Sequence, residues 1–130
     1  MSLRWFGFIA VLANYFALSG AAQAQSVAEG KSLYASYCAS CHGDQGKGDG
    51  VAARSLPVKP ADHTNGAVMN QFSDKFLTDI ISKGGSAVSK SAFMPAWGSS
   101  LSNKQVSDIV AYLRSIANPP YNKAETSGVK

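Results

Sequence analysis

Two cysteines and a histidine stand close together in the stretch Cys38-Ala39-Ser40-Cys41-His42. On one helical turn, two thiols at this spacing can reach two vinyl groups on one edge of a porphyrin and form thioethers. A histidine directly after the second thiol can then supply an axial nitrogen to the iron. The stretch therefore predicts one covalently attached haem c, held by Cys38 and Cys41 and with His42 as an axial ligand.

Two other uses of these thiols have to be weighed. A zinc site would add His63, but adjacent Cys41 and His42 are awkward tetrahedral ligands and the spacing matches no common zinc finger. A thiol oxidoreductase of the thioredoxin kind sets its CxxC among strands and helices, and no segment here shows the alternation typical of a strand. A disulfide within CxxC closes too small a loop to add much stability. Haem attachment is the favoured interpretation.

An iron that carries electrons needs a second axial ligand, and the chain offers Met94, Met69 and His63. Met94 is favoured because Pro95 has a fixed φ and stiffens the loop just beyond the sulfur. Thioether ligation also favours ferrous iron and raises the reduction potential, which suits a carrier. Met69 is expected to be a packing residue and His63 a surface histidine, although ligation by His63 would give a bis-histidine site.

If His42 binds the iron, its other ring nitrogen is expected to have a hydrogen-bond acceptor. A histidine that binds a metal usually donates its other ring N–H to an acceptor, which fixes its tautomer. The segment that contains Leu56, Pro57 and Pro60 could supply a backbone carbonyl for this purpose. Pro57 is the favoured residue and is a candidate for the haem pocket.

Three helices are expected to position these groups. The first runs from Ser26 into the CxxCH motif, with Ser26 and Glu29 as a capping box. The second follows the N-cap Ser73 and ends at Gly84-Gly85. The third follows Ser102, where a second capping box opens a strongly amphipathic stretch.

Long loops separate these helices. Residues 43–50 contain four glycines and predict a loop, residues 51–56 a short helical turn, and residues 86–100 another loop. Loops of this length are unusual in so small a domain unless something fills the interior. The sequence therefore predicts a small all-α domain whose helices and loops surround a haem.

The first 24 of the 130 residues have the features of a secretory signal. Arg4 precedes an apolar stretch at 5–18, and Ala22-Gln23-Ala24 is a small-residue cleavage site. The apolar stretch is shorter than the roughly 20 residues that cross a bilayer, so cleavage is expected rather than a retained anchor. The predicted organisation is a cleaved signal at 1–24, a haem domain at 25–120 and a polar, flexible tail at 121–130.

In this order, the residues resemble the class I (mitochondrial-type) cytochromes c. The resemblance rests on the CxxCHG run at 38–43, on Met94-Pro95 ahead of the last helix and on residues 110–114 within it. It implies three or more helices wrapped around one haem, with His42 and Met94 as its axial ligands. It also implies that the first and last helices cross at a glycine–aromatic contact, here Gly30, Tyr34 and Tyr112.

The loops near the haem supply further candidates. Trp97 resembles an aromatic residue that packs beside the haem in relatives, and Phe93 is a second candidate for the pocket. Lys47, Lys59 and Lys90 fall in loops that surround the expected haem edge and could steer an acidic partner.

The predicted function is one-electron transfer in the bacterial periplasm by a monomeric carrier that turns over no substrate. Its partners would be redox proteins. The net charge of +4 is spread along the chain without a basic block, so neither nucleic acid nor a membrane surface is an expected partner. The alternative function is a haem-based ligand sensor or peroxidase with an open or displaceable sixth position, for which only His63 could supply an acid–base group.

Overall fold

The computed structural model describes residues 24–122, and within them the chain forms five α-helices. Their bounds are Val27–Tyr37 (α1), Ala39–His42 (α2), Gly66–Met69 (α3), Asp74–Lys83 (α4) and Asn103–Ile116 (α5), with 3-10 turns at Val51–Ser55 and Gly85–Val88. Strand pairing in this part of the chain is limited to one isolated bridge between Asn65 and Asn118. The predicted all-α class is confirmed.

The predicted signal sequence and the predicted tail lie almost entirely outside the residues that the structure describes. The signal sequence predicted for residues 1–24 lies, apart from Ala24, outside the described residues, and so does the predicted tail apart from Tyr121 and Asn122. None of the helices between residues 24 and 122 combines the length and the apolar character that crossing a bilayer requires.

Helices α1 and α5 cross in very close contact at Gly30. A Cβ on Gly30 would lie 1.9 Å from the carbonyl oxygen of Asp108, so only glycine permits this approach. Beside it, the ring of Tyr34 is 1% exposed and lies 5.1 Å from the ring of Tyr112. The crossing expected at these residues is present, and it fixes the direction in which α1 enters the CxxCH motif.

The helix N-termini follow the predicted caps with one difference. Ser73 accepts a hydrogen bond from the N–H of Phe76, and Ser102 forms both halves of its capping box. Ser26 accepts from the N–H of Glu29, but its own N–H donates to the carboxylate of Asp108 (2.8 Å) instead of the Glu29 side chain. The predicted first capping box is therefore half formed, because the helix crossing brings Asp108 within reach.

Arg114 ties α5 to the connection between α3 and α4. Its guanidinium pairs with Asp74 (2.9 Å), donates to the carbonyls of Met69 and Phe72, and lies over the ring of Tyr121 at 3.7 Å. A basic residue in the last turn of a helix complements the helix dipole. The structure also gives Arg114 tertiary contacts that bring α4 alongside α5.

Candidate haem-binding site

The CxxCH motif lies where α1 gives way to α2. The carbonyl of Cys38 accepts hydrogen bonds from the N–H groups of Cys41 (3.2 Å) and His42 (2.9 Å). The glycine-rich loop then folds back, and the N–H groups of Gly48 and Gly50 donate to the carbonyls of His42 and Cys41. Both cysteines and the histidine are thereby held on one turn, as attachment at two neighbouring vinyl groups requires.

A cavity of about 480 Å³ opens beside this turn. Its wall includes Cys38, Cys41 and His42 together with Met94 from the loop before α5. The rest of the wall is mainly apolar, and helices α4 and α5 contribute Phe76, Leu77, Ile80, Ile81, Ile109 and Leu113. Two free thiols, an imidazole and a thioether around one apolar space fit a covalently attached haem.

His42 is oriented by a backbone carbonyl. Its Nδ1 lies 3.1 Å from the carbonyl oxygen of Ala61. Because a carbonyl can only accept, Nδ1 carries the proton and Nε2 is left for a metal. Burial lowers the pKa of His42, and the hydrogen bond to Ala61 opposes this shift only in part, so the ring is neutral at neutral pH.

The prediction that Pro57 provides this carbonyl is wrong. Pro57 is exposed and does not line the cavity. The chain reaches His42 four residues later, because the N–H of His63 donates to the carbonyl of Gly46 (2.6 Å) and draws Ala61 against the motif.

His63 is buried, and the prediction of a surface histidine is wrong. It is 9% exposed, its Nδ1 is hydrogen-bonded to the hydroxyl of Tyr34 (3.0 Å), and its ring stacks on that of His42 with centroids 4.2 Å apart. Burial, and next the proximity of His42, lower the pKa of His63 to about 3. Two rings stacked face to face cannot bind one iron from opposite sides, which argues against the bis-histidine alternative.

Met94 is half-buried and is held by the 3-10 turn that follows α4. Its carbonyl accepts from the N–H of Gly85 (2.9 Å), and its N–H donates to the carbonyl of Ser91 (3.1 Å). A Cβ on Gly85 would lie 2.0 Å from the Ser91 carbonyl oxygen and 3.1 Å from the Cβ of Met94. The sequence predicts Gly85 only as the end of a helix, whereas in the structure its missing side chain makes room for the Met94 loop.

The other residues singled out in the sequence lie in three places: the wall of the cavity, a separate depression and the core. Phe93 and Trp97 line the cavity, and the Trp97 ring meets the Tyr37 ring edge-on at 5.3 Å. Lys59 and Lys90 also line it, whereas Lys47 lies in a separate polar depression formed by the glycine-rich loop. Met69 is 3% exposed within the core, in agreement with the expected packing role.

The buried state of Cys38 weighs against a redox-active CxxC, and the grouping of side chains weighs against a zinc site. Burial, and next the charge of Cys41, raise the pKa of Cys38 to about 12. A redox-active thiol has a lowered pKa, which keeps it as a thiolate near neutral pH. Between residues 24 and 122, moreover, no three His, Cys, Asp or Glu side chains come together as a metal site would require.

Comparison with known proteins gives a consistent picture. The family model of the cbb3-type cytochrome c oxidase subunit III matches residues 25–113. In an alignment of 103 positions that covers 74% of its length, the chain is 33% identical to the cbb3-type cytochrome c oxidase subunit CcoP of Azospirillum sp. (strain B510), of which it spans 30%.

Solved structures show the same fold. One is a chain of the Kuenenia stuttgartiensis reducing HAO-like protein complex Kustc0457/Kustc0458, with 27% identity and a TM-score of 0.60 over 75% of this chain and 48% of that one. Another is the KustC0563 c-type cytochrome, with 20% identity and a TM-score of 0.56 over 68% of this chain and 98% of that one. With its haem-attachment motif, its apolar cavity and a family match over most of its length, the chain belongs to the cbb3-type subunit III family of c-type cytochromes, and it is a small, class I-like domain that transfers electrons through covalently bound haem c.

Proposed function

We propose that the chain is a one-electron carrier whose haem iron is bound by His42 on one side and by Met94 on the other. The observation that carries this proposal is the shared cavity, because both thiols, the imidazole and the thioether line one apolar space of about 480 Å³. No substrate is turned over in this proposal. The chain's side chains hold the haem and adjust its potential.

Each group has a distinct role. Cys38 and Cys41 bond the haem covalently, and the bound haem supplies the one-electron Fe²⁺/Fe³⁺ couple. His42, kept neutral and oriented by the Ala61 carbonyl, provides Nε2 as a ligand. Met94 provides a soft thioether, which favours the ferrous state. The apolar side chains of α4 and α5 exclude water, which disfavours the more highly charged ferric state and raises the potential further.

A carrier is favoured over a peroxidase by the position of His63. Peroxidase chemistry needs an acid–base group above an open coordination position. His63 stacks on the face of His42 and is held there by Tyr34, so it is not available on the opposite side of the iron. No contact in the described part of the chain favours the sensor or peroxidase alternative.

We further propose that the carrier works as a monomer in the periplasm and exchanges electrons with redox proteins. The predicted signal at residues 1–24 supports export. Lys59 and Lys90 line the cavity, and none of its described lining residues is acidic, which suits an acidic partner surface. The names of the relatives, an oxidase subunit and a HAO-like complex, indicate partners of the same redox class.

Visible spectra test the proposal. The full chain is expressed in a host that attaches c-type haem, and spectra are recorded in the oxidised state, the reduced state and the reduced state under carbon monoxide. We expect covalent haem, a sulfur-to-iron charge-transfer band in the oxidised protein and no change under carbon monoxide. A high-spin oxidised spectrum with ready carbon monoxide binding would refute the closed site and favour the sensor or peroxidase alternative.

A further inference from the structure

The ring of His63 forms a flat surface against the ring of His42. The two imidazoles lie 4.2 Å apart between centroids with an angle of 21° between their planes. We propose that His63, held by Tyr34, is a positioning residue that sets the plane of the His42 ring. This inference rests on the proposed function, in which His42 is an axial ligand.

The hydrogen bond from His42 to Ala61 does not by itself fix the plane of the His42 ring. The contact between Nδ1 and the Ala61 carbonyl (3.1 Å) determines where one edge of the ring lies. A hydrogen bond to a single oxygen leaves the ring able to rock about the N···O line, since acceptor geometry at a carbonyl is broad. Contact with a flat ring across the whole face restricts that rocking.

His63 is itself fixed on several sides. Its backbone N–H donates to the carbonyl of Gly46 (2.6 Å), and its Nδ1 is hydrogen-bonded to the hydroxyl of Tyr34 (3.0 Å). The Tyr34 ring also meets the imidazole edge-on, with centroids 5.8 Å apart. The surface presented to His42 is therefore part of the rigid interior and not a mobile side chain.

Tyr34 connects this support to the helix crossing. It is 1% exposed and packs on Tyr112 where α1 passes α5 at Gly30. A leucine at position 63 would fill the volume, but it would present no flat ring and would leave the buried Tyr34 hydroxyl without its imidazole partner. Tyr34 and His63 therefore connect the crossing of α1 and α5 to His42, the proposed iron ligand.

The test uses the oxidised holoprotein and nuclear magnetic resonance. The haem-methyl proton resonances of a low-spin ferric haem depend on the planes of the axial ligand rings. We compare wild type with His63→Leu, which removes the flat ring, and Tyr34→Phe, which removes only the hydroxyl that holds it. Tyr112→Phe is the matched control. It removes a hydroxyl from the same helix crossing, but this hydroxyl is not the one that is hydrogen-bonded to His63.

We expect the order and spread of the haem-methyl resonances to change strongly in His63→Leu, to change less in Tyr34→Phe and to stay as in wild type in Tyr112→Phe. Unchanged resonances in both His63→Leu and Tyr34→Phe would overturn the positioning role while leaving the proposed function intact. If His63→Leu does not take up haem, Tyr34→Phe, which keeps the packing, decides alone. Absence of covalent low-spin haem in the wild type would overturn the proposed function and this inference together.

Discussion

Replacing Gly85 by alanine is expected to loosen the hold on Met94. The added Cβ would lie 2.0 Å from the carbonyl oxygen of Ser91, and such contacts essentially never occur below 3.0 Å. The Ser91–Met94 turn therefore has to move by about 1 Å, the difference between these two distances. Because the Met94 carbonyl is hydrogen-bonded to the Gly85 N–H, the displacement reaches the proposed ligand directly.

The size of the effect follows from the cost of overpacking. Forcing an extra methyl group into a packed site costs about 1–3 kcal/mol, and most of it is relieved when the loop moves away from its ligating position. Each 1.4 kcal/mol is a factor of ten, so the state with Met94 released from the iron becomes about five- to hundredfold more populated. An external ligand binds only that state, so its apparent affinity rises by the same factor.

Imidazole titration of the oxidised holoprotein measures this population. Loss of the sulfur-to-iron band reports displacement of Met94, and the midpoint gives the apparent affinity. We expect Gly85→Ala to bind imidazole about five- to hundredfold more tightly than wild type, and Ser86→Ala, at the exposed neighbouring position, to behave as wild type. Equal imidazole affinity in Gly85→Ala and wild type, with the band intact in both, would show that Gly85 does not hold Met94 in its ligating position.

Three further changes test the fold. Gly30→Ala puts a Cβ 1.9 Å from a backbone oxygen. Overpacking of about 3 kcal/mol, less about 1 kcal/mol gained in helix propensity, should lower the unfolding free energy in guanidinium chloride by about 2 kcal/mol, whereas the exposed control Ala35→Gly should lose only the propensity contribution. For Asp108, burial alone raises the pKa, but hydrogen bonds from Lys104 and from a backbone N–H outweigh it and hold the pKa below 3.8. A carboxylate with a lowered pKa stabilises the fold above its unfolded pKa and loses that contribution as the pH falls. The unfolding free energy of wild type should therefore exceed that of Asp108→Asn most at neutral pH, and the difference should shrink below about pH 4. Arg114→Lys should lower the unfolding free energy by about 2 kcal/mol in thermal melts, because lysine cannot bond a carboxylate and two carbonyls at once; an unchanged melting temperature would contradict its tertiary role.

Features that depend on a few neighbouring residues were predictable. The cap at Ser102 needs only Gln105 three positions on, and the haem-attachment turn needs only the spacing of Cys38 and Cys41. The crossing at Gly30 was implied by the resemblance to class I cytochromes c, and its physical reason is that a glycine leaves room for a neighbouring helix. In each case the physical determinant is either local or a single missing side chain.

Features set by contacts distant in the sequence were missed. His63 stands in a polar stretch, and nothing nearby indicates that Gly46 and Tyr34 draw it into the interior. The acceptor for His42 is a backbone oxygen, which every residue possesses, so the choice between Pro57 and Ala61 depends on the path of the loop. The same holds for the half-formed cap at Ser26, where a carboxylate 82 residues away takes the place of the local one.

The most direct test of the proposed His42–Met94 site compares two methionine variants. Met94→Leu removes the proposed ligand, and Met69→Leu makes the same chemical change in the core, where Met69 is 3% exposed. We expect oxidised Met94→Leu to retain covalent haem but to lose the sulfur-to-iron band and to bind carbon monoxide when reduced, whereas Met69→Leu keeps the wild-type spectrum. If the band persists in Met94→Leu, or disappears in Met69→Leu with haem still attached, Met94 is not the ligand.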